Sequence, residues 1–166
     1  MATIGTTAVV ILVPGAEQLI SAARYVAPAL VRPLPAHITV LYPFVPRAEL
    51  DERILQQLAA AVAEHLPGDV NLREVVTVDG FVGIPVTELD ATVAACRELW
   101  PMLVPYGGRY GVAPDSHLTA ALGADDRQAE SLRTALESLL PVRSPVTGPL
   151  LLEQTTEGWR PVTVGL

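Results

Sequence analysis

Two short segments of the chain present the same pair of polar side chains at the same spacing. In the first segment His37 is followed two positions later by Thr39, and in the second His117 is followed by Thr119. The two histidines are 80 residues apart, and the chain contains only one other histidine. An imidazole can accept or donate a proton near neutral pH, and a hydroxyl can donate a hydrogen bond to an oxyanion. Presented twice, this pair is suited to acid–base chemistry on a phosphate.

The alternation of residues in both segments predicts two β-strands. Side chains two positions apart point to the same face of a strand, so each imidazole shares a face with its hydroxyl, while Ile38 and Leu118 point into a core. We expect the two strands to lie in facing sheets and their four polar side chains to converge on one cleft. One histidine would then act as general base and the other as general acid, and the two threonines would donate to the non-bridging oxygens.

A single His-x-Thr tripeptide is a weak motif, and its repetition is what makes it specific. The third histidine, His65, lies at the predicted end of a helix, where a structural role beside the C-terminal dipole is expected. The chain has no pair of histidines at i, i+4 and no cluster of cysteines. We therefore expect neither a metal nor a cofactor.

Composition limits the classes of partner. The 166 residues are expected to form one domain over 1–166, and all eleven basic residues are arginine against eighteen acids, for a net charge of −7. Proteins bind long nucleic acid largely by neutralising its phosphates, for which a chain this acidic is poorly suited. A small phosphate ester or a short oligonucleotide end is therefore the expected partner.

The sequence contains no apolar run long enough to predict a membrane span, and we expect no secretory signal at the N-terminus. With Cys96 as the single cysteine, we expect a cytoplasmic protein. We also expect it to be a monomer.

Periodicity and turn residues predict the elements that must position the two motifs. Apart from the motif strands, strands are predicted at 7–13, 70–78, 81–86, 142–155 and 159–164. Helices are predicted at 17–25, 49–65, 87–100 and 125–140, with Thr87 as a helix N-cap. In each half a motif strand is followed by an amphipathic helix and then by a strand pair. Since no linker separates the halves, we interpret them as two lobes of one domain.

The chain resembles the 2H phosphoesterase superfamily, in particular the bacterial 2′-5′ RNA ligase-like proteins. The residues that carry the resemblance are 35–44 (PAHITVLYPF), 105–110 (PYGGRY), 116–119 (SHLT) and 150–154 (LLLEQ). The resemblance implies a duplicated α+β fold in which two antiparallel sheets line a central cleft, with helices packed outside. It also implies metal-free chemistry on 2′,3′-cyclic phosphates or 2′-5′ phosphodiesters, with His37 as the acid at the leaving oxygen and His117 as the base at water. Thr39 and Thr119 match the family's phosphate-contacting positions.

Four further residues border the motifs. Similar proteins commonly place an aromatic residue on the strand after the Asp-Gly turn, where this chain has Gly83, so a stacking platform for a base is expected to be missing. Asp115 is expected to be solvated, because neighbours on a strand face opposite ways; the alternative is that its negative charge acts on His117. Tyr42 is expected in the core or at the rim of the cleft. Arg109, in a Gly-rich loop, is a candidate to bind a phosphate through its planar guanidinium, although a surface position is the competing interpretation.

Three functions remain open on the sequence alone. The first is a metal-independent phosphodiesterase that opens cyclic phosphates or cleaves short 2′-5′ linkages. The second keeps the histidine pair but applies it to a non-nucleotide small molecule, as a cyclase, isomerase or hydrolase. The third is a binding module that holds a nucleotide or metabolite without turnover; two titrating groups argue against it, since a binder has no need of them.

Overall fold

The fold is taken from a computed structural model, which describes residues 2–111 and 114–162. Within these ranges nine strands and four α-helices follow one another. The strands are β1 Thr7–Leu12, β2 His37–Leu41, β3 Asp69–Leu72, β4 Val76–Val78, β5 Phe81–Pro85, β6 His117–Ala121, β7 Val142–Pro145, β8 Thr147–Thr155 and β9 Gly158–Pro161. The helices are α1 Glu17–Val26, α2 Glu52–His65, α3 Asp90–Leu99 and α4 Asp126–Glu137. None of the helices described is long and apolar enough to cross a membrane.

Seven of the strands form one antiparallel sheet in the order β4-β5-β6-β2-β1-β8-β9, and β3 and β7 form a second sheet of two strands. The helices pack against the face of the large sheet that carries Ile38 and Leu118, both fully buried, as the alternation predicts. The α+β class with antiparallel sheets and external helices is thus confirmed.

We expected the two motif strands to lie in facing sheets. They are instead neighbours at the centre of one sheet. They pair through a single residue pair, Ile38 with Leu118, whereas β1 and β2 pair at four positions. The physical reason is that each motif strand is paired with another strand along one of its edges, while the backbone groups of its other edge are free. These two free edges pair with each other. The sheet therefore has a seam through its middle, with one motif strand on each side.

The halves of the chain repeat the same order of elements. The sequence β1-α1-β2-α2-β3-β4 is followed by β5-α3-β6-α4-β7-β8. When each element of one half is replaced by its counterpart in the other half, these strands of the large sheet keep the same order read in the opposite direction. The β3–β7 pair is unchanged, and the α1–α4 contact becomes the α2–α3 contact. A pseudo-twofold axis therefore passes between Ile38 and Leu118, and the two motifs are related by it.

Several boundaries differ from those predicted. Helix α2 begins at Glu52 rather than at 49, because the Asp51 carboxylate caps the Ile54 N–H and a 3₁₀ turn precedes it. Thr87 is not an N-cap but the first residue of a 3₁₀ turn that leads into α3. The predicted strand 70–78 is two strands, since β3 leaves the large sheet to pair with β7. The predicted end of the last strand at 163–164 lies outside the described residues.

Candidate active site

The seam brings the two motifs together on one face of the sheet. Ile38 and Leu118 are directly opposite each other and point to the helix side. The residues on either side of them therefore point to the other face of the sheet. These are His37 and Thr39 on β2 and His117 and Thr119 on β6. Because the strands are antiparallel, this register sets each imidazole against the threonine of the opposite strand. All four predicted polar side chains are partly exposed on this face, which we call the motif face.

Both imidazoles are fixed in the same way by the backbone two residues before them. Nδ1 of His37 lies 2.7 Å from the carbonyl oxygen of Pro35, and Nδ1 of His117 lies 2.8 Å from that of Asp115. A carbonyl oxygen only accepts hydrogen bonds, so Nδ1 carries the proton in both rings. In the neutral form Nε2 is then the atom with a free lone pair, and it is available for proton transfer on the motif face.

A carboxylate at the start of a helix holds the backbone just before each histidine. The N–H of Ala36 donates to Oε1 of Glu17 at 2.6 Å, and the N–H of Ser116 donates to Oδ1 of Asp90 at 3.3 Å. Glu17 and Asp90 are the first residues of α1 and α3, which the pseudo-twofold axis relates. These two carboxylates therefore set the point at which each motif strand enters the sheet.

The environment of His37 favours its neutral form. Burial lowers the pKa of the His37 imidazole below its ordinary value, and the nearby Arg32 guanidinium lowers it further. The Pro35 carbonyl and the Glu17 carboxylate act in the opposite direction but do not cancel the effect. In the free protein at neutral pH, His37 is consequently an uncharged imidazole with its Nε2 lone pair available.

An aromatic ring lies beside His117, contrary to the expectation drawn from Gly83. The ring of Phe81 meets that of His117 edge to face, with centroids 4.9 Å apart. A Cβ at Gly83 would come within 2.3 Å of Cζ of Phe81, so this ring occupies the space that a side chain at position 83 would fill. The absence of a side chain at 83 is what lets Phe81 fold back over its own strand. The aromatic surface that was expected to be missing is therefore present, and it is supplied from two residues before Gly83.

A second group of aromatic rings lies beside Thr39. Tyr106 packs against Tyr42 with centroids 5.6 Å apart and against Tyr110 at 5.4 Å, and Tyr42 packs edge-on against Trp159 at 5.8 Å. Burial raises the pKa of the Tyr106 phenol above its ordinary value, while the neighbouring Thr39 side chain and Arg97 guanidinium act in the opposite direction. The motif face is therefore bordered by aromatic rings on both sides, Phe81 on one and this group on the other.

Comparison with known families agrees with this geometry. A family model described as the 2′-5′ RNA ligase superfamily matches residues 12–157, which include both motifs and most of the described chain. The chain belongs to the 2′-5′ RNA ligase superfamily. No curated protein matches it. The resemblance drawn from the paired His-x-Thr segments is thereby confirmed at the level of the superfamily.

The structure also places the remaining residues that the sequence singled out in this superfamily member. The Arg109 guanidinium lies over the ring of Tyr110, 5.4 Å from its centroid, on an exposed part of the loop before β6. Its role as a phosphate ligand stays a prediction. The residue Asp115 is exposed, as expected, and contributes its carbonyl oxygen to His117. Tyr42 is half-buried at the rim, and His65 binds the Ala61 carbonyl at the end of α2.

Sequence reasoning missed four residues that shape the site: Glu17, Phe81, Asp90 and Tyr106. The two carboxylates could have been found, since each opens the helix that precedes a motif strand. The two aromatic residues had weaker signals: Phe81 follows the Asp-Gly turn and Tyr106 lies in the segment 105–110, but only the folded backbone shows where their rings point. Over the described ranges no group of three or more His, Cys, Asp and Glu side chains is arranged to hold a metal ion.

Proposed function

We propose that the protein is a phosphodiesterase that opens 2′,3′-cyclic phosphates, or cleaves short 2′-5′ linkages, by two-histidine acid–base catalysis. The observation that carries this proposal is the placement of both His-x-Thr pairs on one face of the sheet, across a seam that holds only the Ile38–Leu118 pair. A phosphate seated over this seam would have an imidazole and a hydroxyl on each side.

The two histidines divide the proton transfers in this mechanism. Nε2 of His117 takes a proton from water, whose oxygen attacks the phosphorus. The bond from phosphorus to one ribose oxygen breaks, and His37 gives its proton to that leaving oxygen. The negative charge of the bound phosphate raises the pKa of His37 and so supplies the protonated form that this step needs. General acid–base catalysis of this kind contributes about 10² to 10⁴ in rate for each group.

The threonines hold the charge that develops on the phosphate. Thr39 and Thr119 stand two residues after the histidines on the same face, where their hydroxyls can donate to the non-bridging oxygens. Arg109 is a further ligand in this proposal, if its loop turns toward the seam. These groups supply the stabilisation that a metal gives elsewhere, so we propose turnover without one.

The ring of Phe81 supports a nucleotide as the substrate. It stands edge-on beside His117, at the side of the motif face, where a base attached to the bound ribose phosphate can pack against it. Contact between a base and an aromatic ring is worth about 1–3 kcal/mol. A missing base-stacking ring would favour a non-nucleotide substrate, and the presence of Phe81 removes that argument.

The test is hydrolysis of a panel of 2′,3′-cyclic mononucleotides and 2′-5′ dinucleotides in the presence of a chelator. We expect turnover with a bell-shaped dependence on pH, because one histidine must be neutral and the other charged. His37→Ala and His117→Ala should each lower kcat by at least about 10² and remove one limb of the profile. The double variant should lose little more, since the two residues act as a unit.

Thr39→Ala and Thr119→Ala decide whether the site holds a phosphate. We expect both to lower turnover less than the histidine variants do, because each removes one donor to the phosphate oxygens. His65→Ala is the matched control and should keep full activity. If the histidine variants are inactive on a substrate that both threonine variants turn over at the wild-type rate, the site does not bind a phosphate. Activity that a chelator abolishes and a divalent ion restores would contradict the metal-free mechanism.

A further inference from the structure

A single peptide group connects each motif histidine to a carboxylate. The carbonyl oxygen of Pro35 lies 2.7 Å from Nδ1 of His37. The N–H of the same peptide group belongs to Ala36, and it donates to Oε1 of Glu17 at 2.6 Å. The C=O and N–H of a trans peptide point in opposite directions. This peptide group therefore accepts a hydrogen bond from the imidazole on one side and donates one to the carboxylate on the other.

The second half of the chain contains the same connection. Nδ1 of His117 lies 2.8 Å from the carbonyl oxygen of Asp115. The N–H of that peptide group belongs to Ser116, and it donates to Oδ1 of Asp90 at 3.3 Å. Glu17 and Asp90 each begin an α-helix that follows a 3₁₀ turn. A glutamate in one half and an aspartate in the other thus make the same connection from equivalent positions, and we call each connection a peptide link.

A peptide link transmits the charge of its carboxylate to the imidazole. A carboxylate bound at the N–H polarises the peptide group, which makes the carbonyl oxygen a stronger acceptor. A stronger acceptor at Nδ1 favours the charged imidazolium over the neutral ring. Ala36 and Ser116 are only 2% and 4% exposed, so water has little access to either N–H. The carboxylates lie at the surface, whereas the N–H groups through which they act are shielded.

The surroundings of His37 give the direction of this effect. Burial lowers the pKa of the His37 imidazole, and the Arg32 guanidinium also lowers it, whereas the Pro35 carbonyl and the Glu17 carboxylate raise it. The two groups that raise the pKa are both parts of the peptide link. Loss of the Glu17 charge should therefore shift His37 further toward its neutral form.

We propose that Glu17 and Asp90 are positioning residues, which act through the peptide links to hold Nδ1 of each imidazole and to stabilise the imidazolium that proton transfer requires. This rests on the proposed function, in which His37 donates a proton and His117 accepts one. His37 is charged before its transfer and His117 is charged after its own, so the two links act at opposite ends of the reaction. The shorter N···O distance assigns the larger effect to Glu17.

The first test reads the peptide link of His37 without any activity. Glu17→Gln keeps an oxygen that can accept from Ala36 but removes the charge, and Glu17 is exposed, so we expect the fold to be retained. NMR follows the titration of the imidazoles, and the His37 signal is the one lost in His37→Ala. We expect the His37 pKa to be lower in Glu17→Gln than in wild type. The difference should persist at about 1 M NaCl, where the Debye length of about 3 Å screens a surface charge that acts through solvent.

The matched control is Glu52→Gln, the same substitution at the first residue of α2. The Glu52 carboxylate binds the side chain of Gln56 and takes no part in a peptide link. This variant loses the same favourable charge at a helix N-terminus, so it accounts for any general effect of that loss on the protein. Its His37 pKa should equal that of wild type at both salt concentrations.

The second test is steady-state kinetics on 2′,3′-cyclic AMP. We expect Glu17→Gln to lower kcat roughly three- to tenfold at unchanged KM, because the carboxylate acts on the imidazole and not on the substrate. The limb of the pH profile that His37→Ala removes should move to lower pH. Asp90→Asn should lower kcat by a smaller factor and leave that limb in place. Asp126→Asn, at the first residue of α4, is its matched control and should behave as wild type.

The two tests separate failure of this proposal from failure of the proposed function. An unchanged His37 pKa in Glu17→Gln would overturn the peptide link, whatever the rate of hydrolysis. A pKa difference that disappears at about 1 M NaCl would show that Glu17 acts as a distant charge, and it would overturn the link as well. If the wild-type protein does not hydrolyse the probe, the proposed function fails, and the titration alone then decides on the link.

Discussion

Each motif histidine binds the backbone through one ring nitrogen, and in the proposed mechanism the other nitrogen transfers the proton. Nδ1 of His37 and Nδ1 of His117 bind the carbonyl oxygens of Pro35 and Asp115, at almost the same distance. The chain thereby selects one tautomer of each ring, and it does so with backbone atoms that no side-chain substitution removes. What differs between the rings is their surroundings: His37 is desolvated beside Arg32, and His117 meets the edge of Phe81.

The desolvation of His37 makes a prediction for stability. Its native pKa lies below the unfolded value, so below about pH 6.5 the unfolded chain binds a proton more readily than the folded one. The contribution of His37 to stability is therefore fully present above the unfolded pKa and is lost as pH falls through the native pKa. We expect the free energy of unfolding of His37→Asn to decline less than that of wild type between pH 7 and pH 5, measured by urea denaturation. Identical slopes for the two proteins would contradict the lowered pKa.

At the scale of elements, Gly83 shows how one position on a strand sets the shape of the site. It pairs with Thr119 across β5 and β6, and a Cβ there would meet both the Phe81 ring and the carbonyl oxygen of Leu118, the latter at 2.6 Å. The ring could rotate away, but the Leu118 carbonyl belongs to the sheet backbone and cannot yield without disturbing the seam.

Gly83→Ala should therefore destabilise the protein and also lower its activity. Overpacking of this kind costs about 1–3 kcal/mol, and displacement of Phe81 from His117 should raise KM for a nucleotide substrate. The control is Gly68→Ala, where a Cβ would meet nothing within 4 Å. Urea denaturation and steady-state kinetics on both variants give the comparison. A fully stable Gly83→Ala with wild-type kinetics would show that the Phe81 ring does not contribute to the site.

Local pattern determined the elements, but contacts between distant segments determined their arrangement. The motif strands and the four helices follow from alternation, apolar spacing and capping residues such as Asp125, all of which act over a few positions. The joining of β2 to β6 at a seam depends on which strand edges stay free after all others have paired, and no local signal carries that. The position of Tyr106 depends on a left-handed backbone that its own residue type disfavours, so the sequence pointed away from it.

Considered as a whole, the molecule is two copies of one arrangement that meet at the strands carrying the two motifs. The pseudo-twofold axis through the Ile38–Leu118 pair means that a single design, a strand with a carbonyl-bound histidine and a helix-borne carboxylate behind it, is used twice. A phosphate is well matched to such a site, because its tetrahedral oxygens can be contacted from two related sides. In the proposed function, the differences between the halves, at Phe81 and Tyr106, then determine which side holds the nucleoside and which side holds the oxygens.

The charge of the whole molecule bears on the size of the substrate in the proposed function. The net charge is −7, and five of the eleven arginines already form ion pairs with Asp or Glu side chains in the described structure, which leaves few cations to neutralise a phosphate backbone. We expect long single-stranded RNA to bind more weakly than about 10⁻⁴ M at physiological salt, with little dependence on salt concentration. Fluorescence polarisation with a labelled RNA and with a labelled 2′-5′ dinucleotide, over a series of salt concentrations, measures both. Tight binding of the long RNA that weakens steeply with salt would show that the protein recognises a polymer, and the small-ester assignment would then be wrong.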